Sequence, residues 1–157
     1  MNSGLLKLLY TNAFNDIEAA RNCQIAISQK EMEIQMININ SSYSSYDNIY
    51  IGRLRKQSLE QEITNIKNIR NNHINSAISY ALTIAENEIQ ENNSFSVAAI
   101  VLGSITSFIS SVKESYSLSV INRTNISLLS SKLLLSGIHM LQLKNALQNL
   151  TLACNML

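Results

Sequence analysis

The stretch FSVAAIVLGSITSFISSV, Phe95 to Val112, carries no charged side chain, and the uncharged run around it extends from Asn92 to Val112. Its reading decides the fold, because such a segment belongs either to a bilayer or to the inside of a helical bundle. A membrane-spanning helix needs about twenty predominantly apolar residues. This window barely reaches that length and contains two asparagines and several serines, so insertion would be marginal and a buried helix is the better reading. Within it Ala99, Gly103, Ser107 and Ser111 recur every fourth residue. A stripe of small residues at that spacing lets two helix backbones approach closely, so these four are expected to form a helix-packing or oligomer contact. Val97, Ile100, Val101, Ile105, Phe108, Ile109 and Val112 fill the rest of the circumference.

Downstream, LLSSKLLLSGIHMLQLKNALQNL (Leu128 to Leu150) is equally apolar, with Lys132 and Lys144 as its only charges. Leu133, Leu134 and Leu135 are consecutive, so apolar side chains occupy more than one face. A helix apolar all round requires burial on all sides. Leu133, Leu134, Ile138 and Leu141 therefore join the small-residue stripe as expected contact residues, and the two segments together read as a hydrophobic hairpin over residues 95–155.

Upstream, Leu6, Leu9 or Tyr10, Ala13, Ile17, Ala20 and Ile27 recur at helical spacing from Ser3, a candidate N-cap, to Ile39. NSSYSSYDN (Asn40 to Asn48) is the clearest loop, rich in residues whose side chains favour turns. Its tyrosines, Tyr43 and Tyr46, with Tyr50 just beyond, form a candidate interaction loop. Leu54 to Ile89 give a long amphipathic stripe, part of it at eleven-residue spacing (Ile63, Ile74, Ala85), with Glu60, Glu62, Lys67, Arg70, Glu86 and Glu88 assigned to the solvent face. RNNHINS (Arg70 to Ser76) either bends this helix or the protein is elongated. ENNSFS (Glu91 to Ser96), with Asn93 or Ser94 as N-cap, and NRTN (Asn122 to Asn125) read as the remaining turns. The expectation is all-α: an elongated antiparallel bundle or pair of long hairpins, with four helices near 3–39, 49–91, 95–121 and 126–155.

The totals fit one domain. The chain has 157 residues, no proline to interrupt a helix and only four glycines. Charge is uneven: residues 1–91 hold eight basic and ten acidic side chains, residues 92–157 four basic and one acidic. The net charge of +1 argues against a nucleic-acid binder. The basic cluster Arg53-Leu54-Arg55-Lys56 is followed within two turns by Glu60 and Glu62 and reads as a solvated helix face. Cys23 and Cys154 are too few for a disulfide framework or zinc site, and Met1-Asn2-Ser3-Gly4 lacks the basic start of a signal peptide. Cytoplasmic residence and export by a signal-less route both stay open.

No catalytic constellation emerges. His73 and His139 lie in different segments, the carboxylate pairs two residues apart diverge on a helix, and neither a di-iron Glu-x-x-His motif nor a phosphate loop occurs. An enzyme, a cofactor, a metal and a small-molecule substrate are not expected. The first reading is a self-assembling structural protein, a homo-oligomer that buries its apolar half in subunit contacts. The alternatives are a soluble-to-membrane protein inserting the 95–155 hairpin, and a small helical adaptor or chaperone that binds a partner's helix. In general character the chain resembles helical proteins that bacteria export to build filaments or translocation pores, and no motif ties it to one family.

Overall fold

The computed structural model describes residues 1–41, 45–114, 116–137 and 140–155. Their regular structure is entirely helical: α1 (Ser3–Ser41), α2 (Tyr46–Glu91), α3 (Val97–Val112), α4 (Val120–Leu135) and α5 (Leu141–Asn155). The all-α expectation therefore holds, with five helices in place of about four.

α1 and α2 form one long antiparallel hairpin. α2 is an unbroken helix of 46 residues, about 69 Å at 1.5 Å per residue. The Arg70–Ser76 stretch does not break it. The α1-facing seam of α2 is Ile49, Gly52, Lys56, Leu59, Ile63, Ile66, Arg70, His73 and Ala77, all buried or half-buried. It alternates steps of three and four, the spacing of coiled-coil packing. Opposite it on α1 lie Ala13, Ile17, Ala20, Ile27, Ile34 and Ile37. Gly52 permits the closest approach near the hairpin tip, since a Cβ there would sit 3.3 Å from Ile37 Cγ2. Ion pairs cross the hairpin at Lys30–Glu62 (2.8 Å) and Glu33–Arg55 (3.1 Å), and His73 Nδ1 shares a hydrogen bond with Asp16 Oδ1 at 2.9 Å.

Only the half of α2 beyond Arg70 is covered by the later helices. Ile74, Ile78, Leu82 and Ala85 share a core there with Ala13 and Ile17 of α1, Leu102 and Ile105 of α3, Leu129 and Leu133 of α4, and Leu143 and Leu147 of α5. The other half of the hairpin projects from this body as a two-helix arm, about 35 Å long from Arg70 to Tyr46. α3 packs on α5, α2 and α1, whereas α4 lies mainly on α2. The expected hairpin of residues 95–155 is thus replaced by an α3–α5 pair with α4 set apart.

The boundaries shift for identifiable reasons. The first helix is capped by Asn2, whose Oδ1 accepts from Leu5 N at 2.7 Å, rather than by Ser3. Asn92 ends α2 in the left-handed conformation (φ 57°), and Ser96, not Asn93 or Ser94, caps α3 by accepting from Ala99 N at 3.0 Å. α3 stops at Val112, well short of 121, because Lys113 turns left-handed (φ 55°), and residues 116–119 then lie against α2 outside any helix. The expected NRTN turn lies inside α4: Ser119 caps that helix through Asn122 N (3.2 Å). A second break at Gly137 (φ 72°) divides the expected 126–155 helix into α4 and α5.

Candidate interaction surface

Three polar clusters hold the body together, and two of them use residues that the sequence pattern assigns to solvent. Arg70, only 3% exposed, donates to Gln24 Oε1 of α1 (2.6 Å), Asn71 Oδ1 (3.1 Å) and Glu114 Oε2 (2.7 Å). Lys67 also reaches Glu114, at 3.2 Å. Burial pushes the Glu114 carboxyl upward, but hydrogen bonds and charge from Arg70 and Lys67 together outweigh it and hold the group below its ordinary value. Glu88, also 3% exposed, caps α3. Its carboxylate accepts from Ser96 Oγ (3.0 Å), Val97 N (2.6 Å) and Ala98 N (3.1 Å). Asn122, 1% exposed, accepts from Ser79 Oγ (2.8 Å) and donates to Asn75 O (2.8 Å), while Asn75 Oδ1 accepts from Ser119 N (2.9 Å). With Tyr116 OH donating to Asn71 O (3.2 Å), this ladder docks residues 116–122 along α2.

These clusters are internally satisfied, and their arrangement is that of fastenings. Among the described residues no three His, Cys, Asp or Glu side chains converge on a metal position. His73 meets Asp16; His139 lies outside the described residues. Cys23 and Cys154 are both free thiols, and burial pushes Cys154 up to about 11.

The small-residue stripe does not pack two helices of this chain together. Gly103, Ser107 and Ser111 are exposed and Ala99 is half-buried; a Cβ added to Gly103 would meet nothing within 4 Å. α3 instead buries the opposite face, Ala98, Val101, Leu102, Ile105, Phe108 and Ile109, because its large apolar residues gain most from contact with α2 and α5. The close helix contact falls at Gly52, which spacing alone does not single out. Of the other expected contact residues, Leu133 is consumed by the chain's own core, Leu134 and Leu141 are exposed, and Ile138 lies outside the described residues. Tyr46 and Tyr50 belong to the first turns of α2, with side chains in solvent; Tyr43 lies outside the described residues.

Ser107 and Ser111, the C-terminal half of the stripe, join Phe108 in one wall of an open groove of about 580 Å³ between α1 and α3, whose other wall includes Arg21, Ile25, Gln29 and Met32. The α1 wall continues along the arm. Ile25, Gln29, Met32, Met36 and Ile39 step by four and three on the side of α1 turned away from α2, and all five are exposed. Near the arm tip α2 adds Tyr46, Tyr50, Ile51 and Leu54. α1 thus carries two seams, one met by α2 and one unmet. The second seam was legible in the sequence but masked by the first, since together they spread apolar residues around the helix. On the body, α4 exposes Val120, Ile121, Leu128, Leu134 and Leu135.

Among the described residues no helix is long and apolar enough to cross a membrane. No family model matches the chain, and neither a curated protein nor a solved structure matches it.

Proposed function

We propose that this chain is a non-enzymatic, self-assembling α-helical protein whose partner is a second copy of itself. The second seam on α1, Ile25 to Ile39, carries this reading. A helix with one apolar seam is satisfied by one neighbour, whereas a helix with two needs another to keep both from water. Among the described residues no element covers the seam, which runs into the groove beside Ser107 and Ser111. The small side chains there leave room for a helix to lie close to the α3 backbone. In this reading the stripe works between chains, and Leu134 and Leu141 are further exposed contacts on the body.

Size-exclusion chromatography with light scattering over a hundredfold concentration range tests the reading. Assembly that grows with concentration and is lost in Met32→Glu supports it. A monomer throughout that range overturns it. Assembly that survives Met32→Glu unchanged moves the contact away from the arm.

A further inference from the structure

α1 carries its unmet seam only where it forms the arm. Ile25, Met32 and Ile39 stand seven apart along its centre, with Gln29 and Met36 on one flank and Ser28 and Gln35 on the other. All seven are exposed and none is charged. Followed in the same phase toward the body, the line becomes Asn22, Glu18, Asn15 and Thr11, which are polar and exposed. The change falls beside Gln24, where Arg70 ties α1 to the root of the arm. At the other end the seam stops at Ile39, two residues before the end of the helix. The apolar seam and the arm thus cover the same stretch of α1, and Ile25 and Ile39 lie equally far from Met32.

That limit distinguishes the ways in which two copies can meet. Parallel α1 helices in register would run on side by side from the arms into the bodies. Glu18 would then face Glu18, and the polar line from Thr11 to Asn22 would lose water without gaining apolar contact. An antiparallel pair overlaps over the arms alone and keeps the two bodies at opposite ends.

We infer that two copies join by laying their arms antiparallel, α1 against α1, about a two-fold axis beside Met32. The inference rests on the self-assembly reading and gives it an orientation and a closed, two-copy contact. Across such an axis each flank faces itself. Ile25 meets Ile39 of the second copy, Met32 meets Met32, Gln29 meets Met36, and Ser28 meets Gln35. The matched stretch from Ile25 to Ile39 is about 21 Å long. Glu33 stands at the edge of the seam near the axis, and Arg55 of the same chain neutralises it at 3.1 Å. The groove between α1 and α3 lies at the level of Ile25 and Met32, so Met36 and Ile39 of the second copy enter it beside Ser107 and Ser111.

The test is cross-linking in a Cys23→Ser, Cys154→Ala background that light scattering shows to dimerise as the wild type does. Ile25→Cys/Ile39→Cys is treated with a short bis-maleimide, and bridged peptides are identified by mass spectrometry. Within one chain these thiols stand about 21 Å apart, beyond the reach of the reagent. Most bridges are expected to join position 25 of one chain to position 39 of the other. Ser28→Cys/Gln35→Cys, which removes no apolar side chain, repeats the reading by oxidation to a disulfide. About 10 Å separates that pair within a chain, more than a disulfide spans, so a bond from position 28 to position 35 joins two chains. Bridges from 25 to 25 and from 39 to 39 overturn the antiparallel arrangement while leaving assembly intact. A dimer that neither variant bridges overturns it too and moves the contact off the arm. A wild type that stays monomeric overturns the inference and the self-assembly reading together.

Discussion

Removing the Glu88 carboxylate should loosen α3 more than any other single polar change on α2. The first turn of α3 has three N–H groups pointed at residues that can accept them: Ala99 N uses Ser96 Oγ, and Val97 N and Ala98 N use Glu88. Ser96 Oγ donates to the same carboxylate, so one side chain accounts for three hydrogen bonds at 2.6 to 3.1 Å. A hydrogen bond to a charged group contributes about 1.5–3 kcal/mol, and a carboxylate at a helix N-terminus adds about 0.3–1 kcal/mol. The three are not additive, since they share one desolvated group. Glu88→Ala would also leave two N–H groups of a buried turn without partners. We expect a loss of about 3–4 kcal/mol for Glu88→Ala and about half that for Glu88→Gln, which retains one acceptor. Urea unfolding followed by circular dichroism reads this directly. With a slope of about 2 kcal/mol per molar, Glu88→Ala should lower the midpoint by about 1.5–2 M. A midpoint shift below about 0.3 M would show that water replaces the carboxylate and that the cap contributes nothing.

Two further outcomes follow from the clusters and the stripe. Glu114 is held ionised by Arg70 and Lys67, so its carboxyl titrates below the unfolded value. The stability this contributes is present above the unfolded value, near pH 4.5, and is lost as pH falls through the lower folded value. Glu114→Gln should therefore destabilise at neutral pH by about 1–3 kcal/mol and flatten the acid limb of the stability profile, and equal acid limbs in variant and wild type would contradict the latch. Gly103→Leu should not destabilise the monomer, because the position faces open space and leucine favours the interior of α3 over glycine by about 0.5–1 kcal/mol, so any loss is confined to assembly. Thermal unfolding at low concentration checks this, and a drop of several degrees would mean that α3 packs by its small-residue face after all.

The parts of the fold legible in sequence are those set by apolar periodicity. α1, α2 and the existence of helices in the second half all follow from spacing, and the first two end within a few residues of expectation. Polar residues misled. Ser, Asn and Asp side chains satisfy backbone groups both in turns and at helix starts, so NRTN reads as a turn although Ser119 and Asn122 open a helix. Arg70 and Glu88 show the same ambiguity for charge. Periodicity placed them on the solvent face of α2, but their partners come from α1, the 113–119 connection and the start of α3, which no local pattern reveals.

The candidate surface illustrates the opposite difficulty. The Phe95–Val112 run is so apolar that it invites a bilayer, yet its large side chains find cover within the chain itself. α5 supplies it, because the break at Gly137 turns Leu143, Leu147 and Leu150 back onto α3. Much of the uncovered apolar surface then falls on the arm of the hairpin and on the outer face of α4, both on helices whose inner faces are already packed. A surface of that kind differs from a membrane segment in its geometry. On the arm the exposed residues step by three and four and include the polar Gln29, with Ser28 beside it, a pattern suited to the side of another helix. The same spacing that packs α1 on α2 is what remains unmet on the other side of α1, so the association argued for it requires no new kind of contact, only one more helix.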